Sequence, residues 1–519
     1  MGNTNAALKF VLAYTPSTKH HPNTLHWEDD RDGHVADRPI DIPTNTPVRD
    51  RRIFSTPDQR MNGIDGLGFA LVVMLLALVA RHRVTGPSDY VVADRSLGLW
   101  PLVATLVMTE FNTSTVLAFS AAGYRAGPMA IGLPLVFLVG LLFYTFTVAR
   151  AWKRFDQVSV AQLFSVRYAP SMGRLASVLL LLAMTGFSAT YVKSLTLIFT
   201  PLLPQVSAWF LSALLTGVVL LVVVRGGLRS VVRSDQLGFV LTLILLPTLL
   251  IVGWRTMPSG ALALVFPPDQ LQLDPVAQWQ HPALPFRFVA SLIVLTCFTY
   301  IAAPWYGQKI FAARDERTAF VAVGISSVLV FALYGTTVLG AAVFRATQPS
   351  LTNPEAVVPA MMAAWLPMGL RGVGLAMLFA AALTTLAGVW SAMAAMLSAD
   401  FGLARSVRGQ RWTMVGLALL CWLGANLLID DILNRLILAN IPVAALAFAL
   451  LAGFHWPRAT TAGAWASAIV GVAWGIGCFV VVGEAGGYTW PWAMYGIPLI
   501  FATGTVVSLL TTPTPVHAT

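Results

Sequence analysis

The chain has 519 residues, of which 57% are hydrophobic and 11% charged, a balance that leaves too little polar surface for a water-soluble globule. Its formal net charge of +10 sits mainly in short segments between apolar runs, where basic residues set membrane topology, so a nucleic-acid-binding role is excluded. Cys297, Cys421 and Cys478 all fall inside apolar runs, which excludes a disulfide framework and a clustered thiolate metal site.

Residues 1–60 differ from the rest. They are rich in Pro, Thr, Asp, Arg and His, with eight Lys/Arg against eight Asp/Glu and no sustained apolar period, and read as a disordered extracytoplasmic tail. The apolar run 6–14 has no basic lead and is interrupted by Lys9, and Met1-Gly2-Asn3-Thr4-Asn5-Ala6 lacks the hydroxyl of a myristoylation motif, so no targeting role is assigned. His20, His21, His26 and His34 are irregularly spaced and read as solvated rather than metal-binding. Met61 stands directly before the first span; an upstream misassigned start codon is a hypothesis that mass spectrometry of the native N-terminus tests.

A spanning helix needs about 20 apolar residues. That yardstick predicts an all-α polytopic membrane protein with thirteen spans, approximately 63–81, 98–122, 128–150, 173–200, 207–224, 235–253, 285–304, 319–343, 372–397, 411–429, 433–454, 460–482 and 491–511. Residues 61–515 thus form one transmembrane domain. Alternate loops hold the cations: Arg81, Arg83 and Arg95; Arg150, Lys153, Arg154, Arg167 and Arg174; Arg225, Arg229 and Arg233; Lys309, Arg314 and Arg317; Arg405, Arg408 and Arg411; and Arg458. By the positive-inside rule the N-terminus is outside and the C-terminus cytoplasmic, in a plasma membrane or bacterial inner membrane. The long segment between spans six and seven reads as a connector.

The second span is interrupted by Met108-Thr109-Glu110-Phe111-Asn112-Thr113-Ser114-Thr115. A carboxylate and clustered hydroxyls at membrane depth mark a transport pathway. The seventh span ends in Ala303-Pro304-Trp305-Tyr306-Gly307, where proline removes a backbone donor and leaves carbonyls free to face a cavity. Thr384 and Thr385 share a helical face with Ala381, at i, i+3 and i+4. Taken alone, the pair also suits helix packing, with each hydroxyl bonded back to its own turn.

Several stretches in order resemble the solute:sodium symporter family: Ala93-Asp94-Arg95-Ser96-Leu97-Gly98; Ala122-Gly123-Tyr124 with Gly127; Val160-Ala161-Gln162-Leu163-Phe164 leading to Arg167-Tyr168; Gly226-Gly227-Leu228 with Asp235; Gly307-Gln308 with Arg314; and Leu383-Thr384-Thr385-Leu386 running to Asp400. The resemblance spans about residues 62–460 and implies a leucine-transporter-like core of two inverted five-helix repeats, about 98–253 and 285–454. It places a sodium site at the carbonyls of Met108, Phe111 and Ala381 and the hydroxyls of Thr384 and Thr385, oxygens suited to a hard cation. Glu110 aligns with a position held by Asp in the proline-permease-like branch and by Asn in sugar carriers, which puts this chain nearer the former.

Glu110 and Asp235 are the expected ion-coupling residues. A buried carboxylate also takes up protons, so Glu110 serves sodium or proton coupling, or is a structural charge paired with a cation such as Lys193. Asp235 reads either as an acid assisting ion passage at the inner side or as a solvated helix-start charge near Arg229 and Arg233. Arg95 reads as a topology signal. Asn112, Thr115, Tyr300, Trp305 and Gln308, near the two breaks, are the expected solute contacts, and Thr115 stands where sugar carriers hold Gln. The expected function is therefore sodium-coupled import of a small amino acid, organic acid or related metabolite by alternating access. The expected partners are the solute, sodium and the lipid bilayer. No cofactor is expected beyond the coupling ion, and no phosphate-binding Gly-rich loop or catalytic constellation is seen. A proton-coupled carrier and a transporter-like sensor with a separate signalling partner are the alternatives; oligomeric state is not set by the sequence.

Overall fold

The computed structural model describes residues 62–512 apart from 82–85, 87–92, 259, 267–277, 280, 350 and 404–405, and apart from the side chains at 222, 223, 225, 226 and 264. The predicted tail, Met61, Arg83, Arg405, the Arg225 side chain and part of the connector before span seven lie outside the described residues. Each of the thirteen predicted spans falls on a helix or a helix pair. By length and apolarity, seven described helical segments can cross a membrane, or nine when each sharply bent pair counts as one span.

Helix α1, Gly63–Val79, starts at Asn62, whose side chain accepts from the Asp65 amide at 2.8 Å, satisfying one of the donors a helix start leaves free. The second span divides into α2, Leu99–Glu110, and α3, Thr113–Ala126. Then follow α4, Gly132–Thr147; the short α5, Ala149–Phe155, and α6, Gln162–Arg167; and α7, Pro170–Phe199. Helix α8, Ala208–Thr256, holds predicted spans five and six, divided at Gly227, whose φ of 60° and ψ of −162° are open to glycine and costly for other residues.

The seventh span bends by 46° between α9, Phe286–Tyr300, and α10, Pro304–Phe311. Beyond it lie α11, Glu316–Thr347; α12, Val357–Trp365; α13, Leu370–Phe401; α14, Val407–Leu427; α15, Ile432–Leu438; α16, Ala447–His455; α17, Thr461–Val482; and α18, Ile497–Leu510. Two features depart from the sequence reading. Helix α12 occupies a segment without a predicted element, and predicted span eleven bends by 43° between Ile432–Ala444 and Ala447–His455, where Asn440 and Pro442 disturb an otherwise apolar stretch.

The two halves pack reciprocally. Broken helix α2/α3 of the first lies on α11, the second helix of the second half, and α9 lies on α4, the second helix of the first half. This is the exchange expected of the two repeats of a leucine-transporter-like core. At the centre stands α13, whose most apolar window is 94% buried against α1, α2, α7 and α8. Close approach to α1 depends on Gly372, where a Cβ would stand 1.8 Å from the Asp65 carbonyl oxygen. Small residues at such crossings let backbones approach closely, and the Asp65 carboxylate adds a bond from the Gly369 amide at 2.6 Å.

Candidate functional site

The first break is local chemistry backed by one distant tyrosine. Phe111 takes φ −75° and ψ 77°, and Asn112 is extended. Asn112 then restarts the helix by accepting from the Thr115 amide at 2.8 Å through its side-chain oxygen. The Glu110 carbonyl accepts from the Tyr334 hydroxyl of α11 and from the Asn112 amide at 2.8 Å. These bonds satisfy groups that the break frees from the helical ladder. The Phe111 carbonyl accepts no hydrogen bond from the described residues.

Met108, Phe111, Ala381, Thr384 and Thr385 are all buried. The Thr385 hydroxyl lies 3.1 Å from the Met108 carbonyl on α2 and 2.9 Å from the Ala381 carbonyl one turn back on α13. The Thr384 hydroxyl lies 3.3 Å from the same Ala381 carbonyl. Bonding back to i−4 is a local habit of threonine; reaching the broken helix is a tertiary contact. The result is a cradle of uncharged oxygens between α2 and α13, of the ligand type that hard cations prefer. Among the described residues no group of three or more His, Cys, Asp or Glu is placed to hold a metal ion.

Asp235 is fully buried rather than at a solvated helix start. Its Oδ2 lies 3.0 Å from Lys309 Nζ and accepts from the Thr105 hydroxyl. Arg229 turns instead to the Ala93 carbonyl at 3.0 Å and to Asp94 at 3.2 Å, and Arg233 to the Arg81 carbonyl at 2.9 Å. Lys309, counted from sequence among the loop cations, is inside α10 at 1% exposure. Its proximity in sequence to Arg314 and Arg317 gives it the appearance of a loop residue. Arg95, by contrast, is a peripheral strut, bonded to Asp156 at 2.9 Å.

Glu110 links the two breaks. Its Oε2 accepts from the Tyr300 hydroxyl at 2.5 Å, joining the end of α2 to the end of α9. Lys193 forms no ion pair with it, and Lys309 pairs instead with Asp235 at 3.0 Å. Asn112, Thr115, Tyr300 and Trp305 line one cavity, with Tyr191 and Asn440 adding polar groups that the sequence reading did not single out. Gln308 lies outside that lining, one turn further from the break than Trp305, with its Nε2 3.3 Å from the Ser391 hydroxyl. The half-helices α3 and α10 both begin at the cavity, so their positive dipole ends face it.

The model of the sodium:solute symporter family matches residues 90–471. The chain belongs to that family. Like other sodium:solute symporters it is a multi-pass membrane transporter of solute with sodium, not an enzyme. It is similar to the sodium/pantothenate symporter of Haemophilus influenzae, at 24% identity over 442 residues that cover 81% of this chain and 89% of that protein. Among solved structures it is similar in fold to a Na+-coupled sialic acid symporter in a substrate-bound outward-open state. The TM-score is 0.73 at 15% identity, covering 87% of this chain and 98% of the other.

Proposed function

We propose that the protein imports a small amino acid or organic acid with sodium by alternating access, with its N-terminus outside and its C-terminus in the cytoplasm. The observation that carries this reading is the Thr385 hydroxyl between carbonyls of α2 and α13. Sodium bound there takes ligands from Met108, Phe111, Ala381, Thr384 and Thr385 and clamps the broken helix to the central one. The solute sits beyond the break, against Asn112, Thr115, Tyr300 and Trp305. Two helix N-termini at that cavity favour a solute carboxylate, and the solutes named for the two relatives are both organic acids.

Sodium seated at the cradle stabilises the outward-open form, and the Glu110–Tyr300 bond carries the change at one break to the other. Rocking of the helices then opens the site to the cytoplasm. A membrane potential adds about 2.3 kcal/mol per charge per 100 mV, so one sodium per zwitterionic amino acid supports roughly fifty-fold accumulation at that potential, whereas one sodium with a monoanionic acid moves no net charge and is driven by the sodium gradient alone. The test is uptake of labelled amino and organic acids into proteoliposomes. An inward sodium gradient drives uptake of at least one of them, and exchange for potassium or choline abolishes it. Burial of Glu110 on a tyrosine hydroxyl favours a second reading, proton coupling; uptake driven by a proton gradient without sodium, and lost in Glu110→Gln, selects it instead.

A further inference from the structure

Oxygens of Asp235 and Thr105 converge beside the cradle, and the group they meet is a side chain. Lys309 Nζ lies 3.0 Å from Asp235 Oδ2 and 2.9 Å from the Thr105 carbonyl. The Thr105 hydroxyl donates to the same carboxylate oxygen. Asp235 Oδ1 is buried and meets no donor at hydrogen-bonding geometry. The lysine stem reaches this place along α13, where a Cβ on Gly388 would stand 3.6 Å from Cε and 3.8 Å from Nζ. Gly388 follows Thr384 by one turn, on the same helical face.

Both partners of the Lys309–Asp235 pair are buried, at 1% and 0% exposure. Such a pair gives little net stability over apolar residues of the same volume, so stability alone is a weak account of it. Carboxylate, carbonyl and hydroxyl oxygens are what a hard monovalent cation takes as ligands, and an ammonium carries the same single charge. We propose that Lys309 is a tethered cation that permanently fills a second cation cage, built from Asp235 and Thr105, beside the mobile sodium. This rests on the sodium-coupled reading of the cradle. The fixed ammonium keeps Asp235 from capturing the transported ion and sets the chain to one mobile sodium. Thr105 at one place and Met108 at the other are one turn apart on α2, so the two cations sense each other at short range.

The test counts radiolabelled sodium bound at saturation per purified full-length chain. Wild type binds one. Lys309→Ala frees the cage and doubles the bound sodium, and Lys309→Ala/Asp235→Asn returns it to one. Lys309→Arg, which keeps a tethered charge, stays at one. The proposal is overturned when Lys309→Ala binds one sodium or folds in no sodium-containing buffer, because sodium then does not replace the ammonium. Two sodium ions in the double variant overturn it as well, since Asp235 is then not a ligand. Wild type binding no sodium refutes the sodium-coupled reading itself, an outcome distinct from wild type and Lys309→Ala each binding one.

Discussion

Two oxygen clusters lie about a turn apart along α2, at Met108 and at Thr105, and are closed in opposite ways. At the cradle, the Met108 and Ala381 carbonyls and the threonine hydroxyls are neutral, and the Thr385 hydroxyl bridges the gap between helices. At Asp235 a full charge is met by a fixed charge, Lys309, at 3.0 Å. Neutral dipoles give up a cation when the helices part, whereas a tethered ion pair stays with the protein. The contrast separates what moves through the transporter from what holds the pathway in register.

The largest way to break that contrast is at the fixed charge. Asp235→Asn leaves the buried ammonium without its partner and costs about 3–5 kcal/mol of stability, read as a fall in unfolding temperature. Lys309→Met/Asp235→Asn, which removes both charges, recovers most of the loss. Equal destabilisation in the single and double variants contradicts a buried pair. A smaller effect is expected at the support of the cradle. Tyr334→Phe deletes the hydroxyl that donates to the Glu110 carbonyl at the break and costs about 1–3 kcal/mol. It also lowers sodium affinity, since Met108 and Phe111 lose the fixed backbone that presents them; unchanged sodium titration separates the break from the cradle.

The smallest effect sharpens the comparison from outside the membrane region. Asp430 accepts two bonds from Arg435, at 2.7 and 2.8 Å, and this hydrogen bonding holds its carboxyl below the usual aspartate range. A depressed carboxyl stabilises the fold above its unfolded pKa, about 3.9, and loses that contribution as pH falls through the folded value. Because Asp430 is exposed, the pair is worth about 0.5 kcal/mol or less. Unfolding scans of wild type and Asp430→Asn therefore differ slightly at neutral pH and converge in acid. A constant difference across that range removes the ion pair as its cause.

Much of this was legible in the sequence, and the reasons are specific. Spans are averages over about twenty residues, so their positions survive single polar interruptions. The break at 111–112 announces itself through Glu110 and Asn112, and the one at 301–303 through Pro304. The threonine pair on α13, and Ala381 with it, is placed by the family resemblance, counted back from Asp400; helical spacing adds only that the three share a face. Lys309 was not legible, because its neighbours Arg314 and Arg317 make a helix end look like a loop and only tertiary structure brings Asp235 from α8 to meet it. The displacement of Gln308 from the cavity has the same origin: Trp305 and Gln308 share a face of α10, but one turn of depth decides which meets the cavity. The bend in span eleven was lost for the opposite reason, since Ile441, Val443, Ala444 and Leu446 keep the average apolar across it.

The most direct measurement of the central claim is thermal unfolding of the purified protein in NaCl, KCl and choline chloride at equal ionic strength, for wild type and Thr384→Ala/Thr385→Ala. Saturating sodium at about a hundred times its Kd adds roughly 2.7 kcal/mol to a protein that binds it in the folded state alone. The account predicts an upward shift for wild type in NaCl only, absent from the double variant. Identical unfolding of wild type in the three salts, or a sodium shift that persists in the variant, contradicts a sodium site between α2 and α13.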